Sequence, residues 1–341
     1  MFAGIDHSTT GVKTCLLSED GSREVFTIER SPDEDGDWSY IETLREHVNP
    51  NDIEMVSYGY SYGDNIDGIV DISETQNRGI VDTLGLGHEF GTGTLVYDQL
   101  QQSDIPTTVF PGIHDGLDTI HPYFCHYSPL TGADKFATAR YAQEVVQNDD
   151  IGPEIDGDTF VAANVSSSAM ASYVDEGALR GAFHWIGLIH GWGDVECLRQ
   201  IRNDEQDLQD AFMKSGLLCR SDYDFEDVKG VPSEELLEIV YCATLHNVYS
   251  LVPFTEHLGS GLDAVILSGR LSRVEEPFDV RGRLSEDLSN VGTVHVCQEK
   301  STALGAALVA RDVARGDSET LGVPIEFNEA DTSSKVTSTN V

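Results

Sequence analysis

Gly4-Ile5-Asp6-His7-Ser8-Thr9-Thr10-Gly11-Val12-Lys13 is the stretch on which the reading of this chain turns. It lies between two short apolar runs, residues 1–5 and 12–17, each a predicted strand, and residues 23–30 alternate as a third. A hairpin turn built of Ser8, Thr9, Thr10 and Gly11 gathers backbone N–H groups and hydroxyls at one point, which suits phosphate oxygens. Asp6 closes the first strand, where a carboxylate can hold Mg²⁺ through water, as hard cations prefer. Lys13 leaves the turn on the second strand and reaches either a phosphate or the surface. Taken alone, this spacing also describes an ordinary hairpin.

Composition narrows the classes. The 341 residues suffice for one large domain or two medium ones. A hydrophobic fraction of 40% and an aromatic fraction of 8% exclude disorder by composition. The 59 acidic residues against 21 basic ones give a formal charge of −38 with no Lys/Arg cluster, which argues against nucleic-acid binding through a basic surface. No run of 18 apolar residues occurs and the N-terminus lacks a signal-like pattern, so a soluble, cytoplasmic protein without a membrane span is expected. The acids are dispersed, densest at Ser31-Pro32-Asp33-Glu34-Asp35-Gly36-Asp37, and only six lysines occur. That pattern reads as a surface kept hydrated in multimolar salt, where the Debye length is about 3 Å or less. The six cysteines are scattered without a C-x-x-C pair and read as small buried hydrophobes. His121, Cys125 and His126 are close enough to suggest a metal, but their aromatic neighbours favour a packed loop.

Further along the chain, residues 53–60 and 107–110 read as strands, and residues 135–147 as a helix rich in small residues. Residues 160–165, 169–174 and 179–186 form a second strand cluster around the turn Asp175-Glu176-Gly177. Helical patterns follow at 194–202, 205–215 and 234–258, the last containing Pro253, which should kink or end it. Residues 262–267 read as a strand and 299–315 as a helix with Ala and Gly on one face. The pattern is therefore two α/β halves, each opening with a β-hairpin.

The first hairpin has a counterpart in Val161-Ala162-Ala163-Asn164-Val165-Ser166-Ser167-Ser168-Ala169-Met170. Two further motifs are the strand and turn Ala264-Val265-Ile266-Leu267-Ser268-Gly269-Arg270-Leu271-Ser272 and the helix opening Lys300-Ser301-Thr302-Ala303-Leu304-Gly305-Ala306-Ala307. In this order they resemble the phosphate-1, phosphate-2, adenosine and connect-2 motifs of the actin/Hsp70/sugar-kinase superfamily, with the helix around residues 137–146 as connect-1. The resemblance covers about residues 2–315. Within the superfamily, Gly4-Ile5-Asp6-His7-Ser8-Thr9-Thr10, Asn77-Arg78-Gly79, Pro111-Gly112-Ile113-His114 and His190-Gly191 with Asp194 look like blocks of the archaeal methanogenesis marker protein 12 family. The acidic composition also resembles haloarchaeal actin homologues.

The resemblance implies a two-lobed, actin-like α/β ATPase fold of duplicated ribonuclease H-like halves, with a nucleotide cleft between the lobes. The first lobe would span residues 1–135 plus a returning helical segment, 300–327; the second would span 136–299, and 328–341 would be a disordered tail. It also implies ATP and Mg²⁺ as cofactors. Asp6 would position the metal; Ser8, Thr9, Thr10 and Gly11, with Lys13, would cradle phosphates from one side, and Asn164, Ser166, Ser167 and Ser168 from the other. Ser268, Gly269 and Arg270 would lie under the adenosine, and Gln143 or Gln147 would orient a hydrolytic water.

Two positions depart from the superfamily pattern. Asn164 stands where the phosphate-2 strand ends in Asp, and Ser268-Gly269 replaces Gly-Gly. Because no substrate-facing Asp base stands out, the favoured expectation is slow ATP hydrolysis coupled to head-to-tail self-assembly into filaments. The alternatives are a small-molecule kinase and a non-polymerising nucleotide-binding accessory protein. On so acidic a chain, a phosphate cleft would rely on Mg²⁺, backbone N–H groups and salt screening rather than on lysines. The Gly-rich segment 84–94 is either a loop over the cleft or neighbour, or a flexible connection; the aromatic segment 184–193 is core lining or a covered patch.

Overall fold

Period-two alternation in the first strand fixes two faces, and the fold is built on that choice. A computed structural model of the chain describes residues 1–8, 11–28, 38–60, 66–76, 92–124, 131–166, 169–183, 195–205, 221–224, 227–228, 230–259, 261–297 and 300–327. Thr9, Thr10, Ser167 and Ser168 lie outside the described residues. So do Asn77-Arg78-Gly79, Cys125, His126, His190, Gly191 and Asp194, the segment 184–193, most of 84–94, the expected helix 205–215 except its first residue, and the tail 328–341.

In chain order the elements are β1 (Phe2–Ser8), β2 (Gly11–Leu17), β3 (Arg23–Ile28), α1 (Tyr40–His47), β4 (Met55–Gly59), β5 (Val70–Asp71), α2 (Thr92–Gln101), β6 (Thr107–Phe110) and α3 (Ala133–Gln147). They continue with β7 (Phe160–Asn164), β8 (Met170–Asp175), β9 (Ala178–Phe183), α4 (Val195–Arg202), α5 (Glu234–Leu258), β10 (Ala264–Ser268), α6 (Val280–Asp287), β11 (Thr293–Val296), α7 (Ser301–Arg315), β12 (Glu319–Thr320) and β13 (Val323–Pro324).

Two sheets share one plan. The first has the order β3-β2-β1-β4-β6-β5 and the second β11-β10-β7-β8-β9. Each opens with three antiparallel strands in sequence, β1-β2-β3 and β7-β8-β9. Each then adds parallel strands on the far side of its first strand: β4 and β6 in one, β10 and β11 in the other. The two-lobed, duplicated α/β architecture is thus a repeat of topology without a legible repeat of sequence.

Pleating sends Ala3 and Ile5 into one core, with Tyr40, Leu44, Tyr58, Val96 and Tyr97. Phe2 joins the larger core on the other face, with Cys15, Leu17, Phe136, Val161, Leu304 and Val309. On that larger-core face α7 crosses β1, β2 and β4, and α3 packs on α7 in turn. Both approaches are close because glycines stand at the contacts. A Cβ on Gly4 would lie 1.9 Å from the Ala307 nitrogen, and one on Gly305 would lie 1.8 Å from the Ala137 carbonyl oxygen.

Past this crossing the helices are tied by buried charge. Arg140 of α3 donates to Asp312 of α7 through Nε (2.7 Å) and Nη2 (3.0 Å), and Thr320 Oγ1 donates to the same carboxylate at 3.0 Å. Glu144 accepts from Arg140 Nη1 at 3.2 Å and from Arg311 Nη2 at 2.8 Å. Arg140 and Asp312 are each only 6% exposed.

The sequence predicts that Pro253 kinks or ends its helix; α5 does not end there but continues to Leu258 and stops at Gly259, whose φ of 87° is left-handed. Leu251 and Thr255 are buried, Phe254 packs on Phe124 with ring centroids 4.9 Å apart, and Thr255 Oγ1 donates to the Val252 carbonyl at 2.9 Å. Packing along the buried stripe outweighs the missing N–H.

Gly305→Ala should lower stability by about 3 kcal/mol, because the new methyl meets backbone and not a movable side chain; urea unfolding in molar KCl measures this. Arg140→Met alone should cost about 3 kcal/mol by taking from buried Asp312 its two-bonded guanidinium partner, whereas the double variant Arg140→Met/Asp312→Leu should recover most of it. Equal unfolding midpoints for the single and double variants would contradict that account.

Candidate active site

The end of β1 is where chemistry accumulates. Asp6 lies two residues beyond Gly4 on the same face, just past the last turn of sheet that α7 covers. Its register partner is Lys13, whose Nζ lies 3.5 Å from Asp6 Oδ2. Asp6 is 6% exposed, and that burial pushes its carboxyl above the ordinary value of 3.8, against the pull of Lys13 and with a further push from Asp134.

Asp134 belongs to the first turn of α3. Its carboxylate folds back over Gly132, where a Cβ would come within 2.6 Å of Oδ1, and it is ion-paired to the buried ammonium of Lys135. Asp6, His7, Asp134 and Thr302 line a small cavity of about 80 Å³, with Gly59, Tyr60, Phe110 and Ala133 as its less polar wall. His7 points to the opposite face of β1. Its Nε2 donates to the Gly59 carbonyl at 2.9 Å and its ring stacks on Tyr58 at 5.1 Å, leaving Nδ1 as the acceptor. The cavity floor therefore carries two neighbouring carboxylates, one buried and one partly open, flanked by two ammonium groups.

In the second sheet, the end of β7 forms a tight knot with the turn after β10. Ser166 Oγ donates to Asn164 Oδ1 at 2.5 Å, Val165 N to the Ser268 carbonyl at 2.7 Å, and Leu271 N to the Val165 carbonyl at 3.0 Å. Gly269 has a φ of 94°, and a Cβ there would lie 2.5 Å from the Val165 oxygen, so glycine is required. Ser268 Oγ donates to the Ala163 carbonyl at 3.3 Å. Gly11 is required on similar grounds in the first hairpin, with a φ of 144° and the Ile28 oxygen 2.4 Å from any Cβ.

Arg270 donates to the main-chain carbonyls of Gly230 and Val228, which ties that segment to the turn after β10. Gln143 donates to the Gly177 carbonyl at 3.1 Å, at a separate polar recess of about 280 Å³ lined also by Arg140, Glu176, Asp317 and Glu319. At a rise of about 1.5 Å per residue it stands ~13 Å along α3 from Asp134, and exposed Gln147 stands farther still. Neither glutamine reaches the Asp6 cavity.

What the sequence reading missed is Asp134. It started the helix at residue 135, whereas α3 begins at Ala133, and that shift hid an acid on the first turn. Lys13 and Lys135 both lie near enough to Asp6 to favour its charged form. Among the described residues no group of three or more His, Cys, Asp or Glu has the arrangement of a protein-only metal site. Two carboxylates fit instead a Mg²⁺ ion that takes its other ligands from phosphate and water.

No family model matches the sequence. A UPF0285 protein of Methanococcus maripaludis is 30% identical over 336 residues, covering 95% of this chain and 99% of that protein. The chain belongs to the UPF0285 family. A UPF0285 protein of Methanocaldococcus jannaschii is 28% identical over 341 residues, covering 95% of this chain and 98% of its own. Among solved structures, the acetate kinase of Entamoeba histolytica superposes with a TM-score of 0.53 at 11% identity, covering 89% of this chain and 97% of that one. That likeness concerns fold alone: the UPF0285 chain shares the two-lobed α/β architecture. Among the described residues no helix is long and apolar enough to cross a membrane.

Burial that raises the Asp6 pKa makes the folded chain hold this proton more tightly than the unfolded chain does. Stability is then lost as pH rises above about 3.8. Asp6→Asn should therefore raise the urea midpoint of the ligand-free protein at pH 7 and flatten its decline between pH 4 and 7. A lower midpoint at pH 7 would mean that the Lys13 contact outweighs desolvation.

Proposed function

We propose that this UPF0285 chain is a phosphotransferase that binds a Mg²⁺–nucleoside triphosphate at the Asp6 end of β1 and transfers its terminal phosphoryl group to a small acceptor. The observation that carries this reading is Asp134 beside Asp6 in one small cavity. Phosphoryl transfer asks little covalent help of a protein; it needs charge neutralisation, in-line positioning and a base for the acceptor proton. Asp134, 37% exposed and held by Lys135, is the group able to take that proton. Asp6, more deeply buried, is suited to fix the metal through water. Bound Mg²⁺ would supply neutralisation of the charge that builds on the transferring group. The turn around Gly11 and the Asn164–Ser166 and Ser268–Gly269 knot would receive the remaining phosphates and the nucleoside.

The filament reading rested in part on the absence of an evident acceptor base, and Asp134 supplies a candidate for that role. The kinase fold of the acetate kinase neighbour leans the same way. Asn164, in place of the usual acid, leaves the second lobe without a competing carboxylate at that strand end, which is compatible with a base drawn from α3.

The test is an ADP-release assay with Mg-ATP in molar KCl against a panel of small hydroxyl- and carboxylate-bearing metabolites. One of them should stimulate release, and Asp134→Asn should reduce that stimulated rate by a factor of about 10² or more while Mg-ATP affinity stays within twofold. ATP-dependent pelleting without any acceptor-stimulated release would instead return the protein to the filament reading.

A further inference from the structure

Both central helices run from the Asp6 cavity to the far side of the molecule. They start beside the Asp6 row, the line of Asp6, Lys13 and Thr27 paired across β1, β2 and β3. Thr302 of α7 and Asp134 of α3 line the cavity, whereas Asp312 and Gln143 line the polar recess at the other end. Thr302 and Asp312 stand ~15 Å apart along α7.

At that recess the chain leaving α7 folds into the hairpin β12–β13. Its stems belong with the first lobe. Thr320 Oγ1 donates to Asp312 of α7 at 3.0 Å. Ile69, just before edge strand β5, donates its N–H to the Pro324 carbonyl at 2.8 Å and accepts from Glu326 N at 2.9 Å. The tip belongs with the second lobe. Leu179 of β9, the edge strand of the other sheet, donates its N–H to the Leu321 carbonyl at 2.9 Å. Thr119 Oγ1 shares its proton between the carbonyls of Leu179 (2.9 Å) and Leu321 (3.3 Å). A Cβ on Gly322 would lie 2.4 Å from that oxygen.

The docked tip is strained. Leu321 has a φ of 54° and is 3% exposed, a left-handed conformation that a bulky residue keeps only where its surroundings impose it. Like charges also meet at the recess. Exposed Glu176, in the β8–β9 turn, shares it with exposed Asp317 and Glu319 of the hairpin segment. The cation among the lining residues, Arg140, is already bonded to Asp312 and Glu144.

We propose that the β12–β13 hairpin is an interlobe latch, rooted on the first lobe and hooked over β9 at the end remote from Asp6. Its hydrogen bonds and the burial of Leu321 hold it shut, while the Leu321 backbone and the facing carboxylates push it open. Release leaves the α3–α7 crossing as the joint between the lobes, so the second sheet can turn about it and widen the Asp6 cavity. Salt screens the carboxylate repulsion and favours the shut latch. The latch stands on these contacts and does not depend on the phosphotransfer reading.

Amide exchange at Leu179 reports release, because that N–H is spent on the hairpin, and small-angle X-ray scattering of the ligand-free protein reports lobe separation. In wild type, Leu179 should exchange about tenfold or more faster than the amides of β7, and more slowly in molar KCl than in dilute salt. Gly322→Ala and Thr119→Val should each speed Leu179 exchange about tenfold or more and raise the radius of gyration, whereas Thr119→Ser should stay within about twofold of wild type. The double variant Asp317→Asn/Glu319→Gln, at exposed positions, should slow Leu179 exchange about threefold in dilute salt and remove most of the salt effect. Leu179 exchanging with the β7 amides in every variant, or faster exchange at an unchanged radius of gyration, would overturn the latch. Should Gly322→Ala and Thr119→Val fail to fold, the charge-neutralised variant decides: Leu179 exchange equal to wild type in dilute salt overturns the proposal.

Discussion

A helix approaches a strand or another helix only as closely as the side chains between them permit, and at Gly4 and Gly305 there are none. The rest of the molecule depends on that double contact. Because α7 lies directly on the β1 backbone, its N-terminus is set at the Asp6 row rather than a turn away. Because α3 lies directly on α7, the first turn of α3 brings Asp134 to the same place, and Arg140 reaches Asp312 two turns later. A methyl group at either glycine would separate the layers by an ångström or more, which is enough to pull apart a constellation that needs tenths of an ångström.

The electrostatics of the site run opposite to those of the surface. The surface is acidic nearly everywhere, yet the buried Asp6 is surrounded by ammonium groups from β2 and α3, with a third beside Lys13. A polyanion bound there, as proposed, would be held by these close contacts without help from the long-range field, which at −38 opposes it. High salt suppresses the distant repulsion and spares the close, partly buried contacts, so the composition and the site are reconciled by screening length.

Both hairpins were legible because alternation and turn residues are local signals, and the order of motifs carried the two-lobed fold. The glycine turn at Gly269 and the small-residue face of α7 were legible for the same reason. The geometry of the proposed site was not. Asp134 was hidden by a two-residue error in a helix start, where propensity says little. The glutamines stand apart from it because a helix of fifteen residues carries its two ends about 20 Å apart. Pro253 does not end its helix because the turns on either side of it are packed.

The two halves also trade their covers. Helix α3 follows the strands of the first sheet and packs on β7, β8 and β10 of the second, whereas α7 follows the strands of the second and packs on β1, β2 and β4 of the first. One face of each sheet thus lies partly beneath a segment encoded outside its own run of strands. A ribosome that has released only the first half has made a sheet with one face bare, and it stays bare until residue 315 has emerged. The covering of this sheet waits for that helix, and the Asp6 end of β1 is among the last places to be finished.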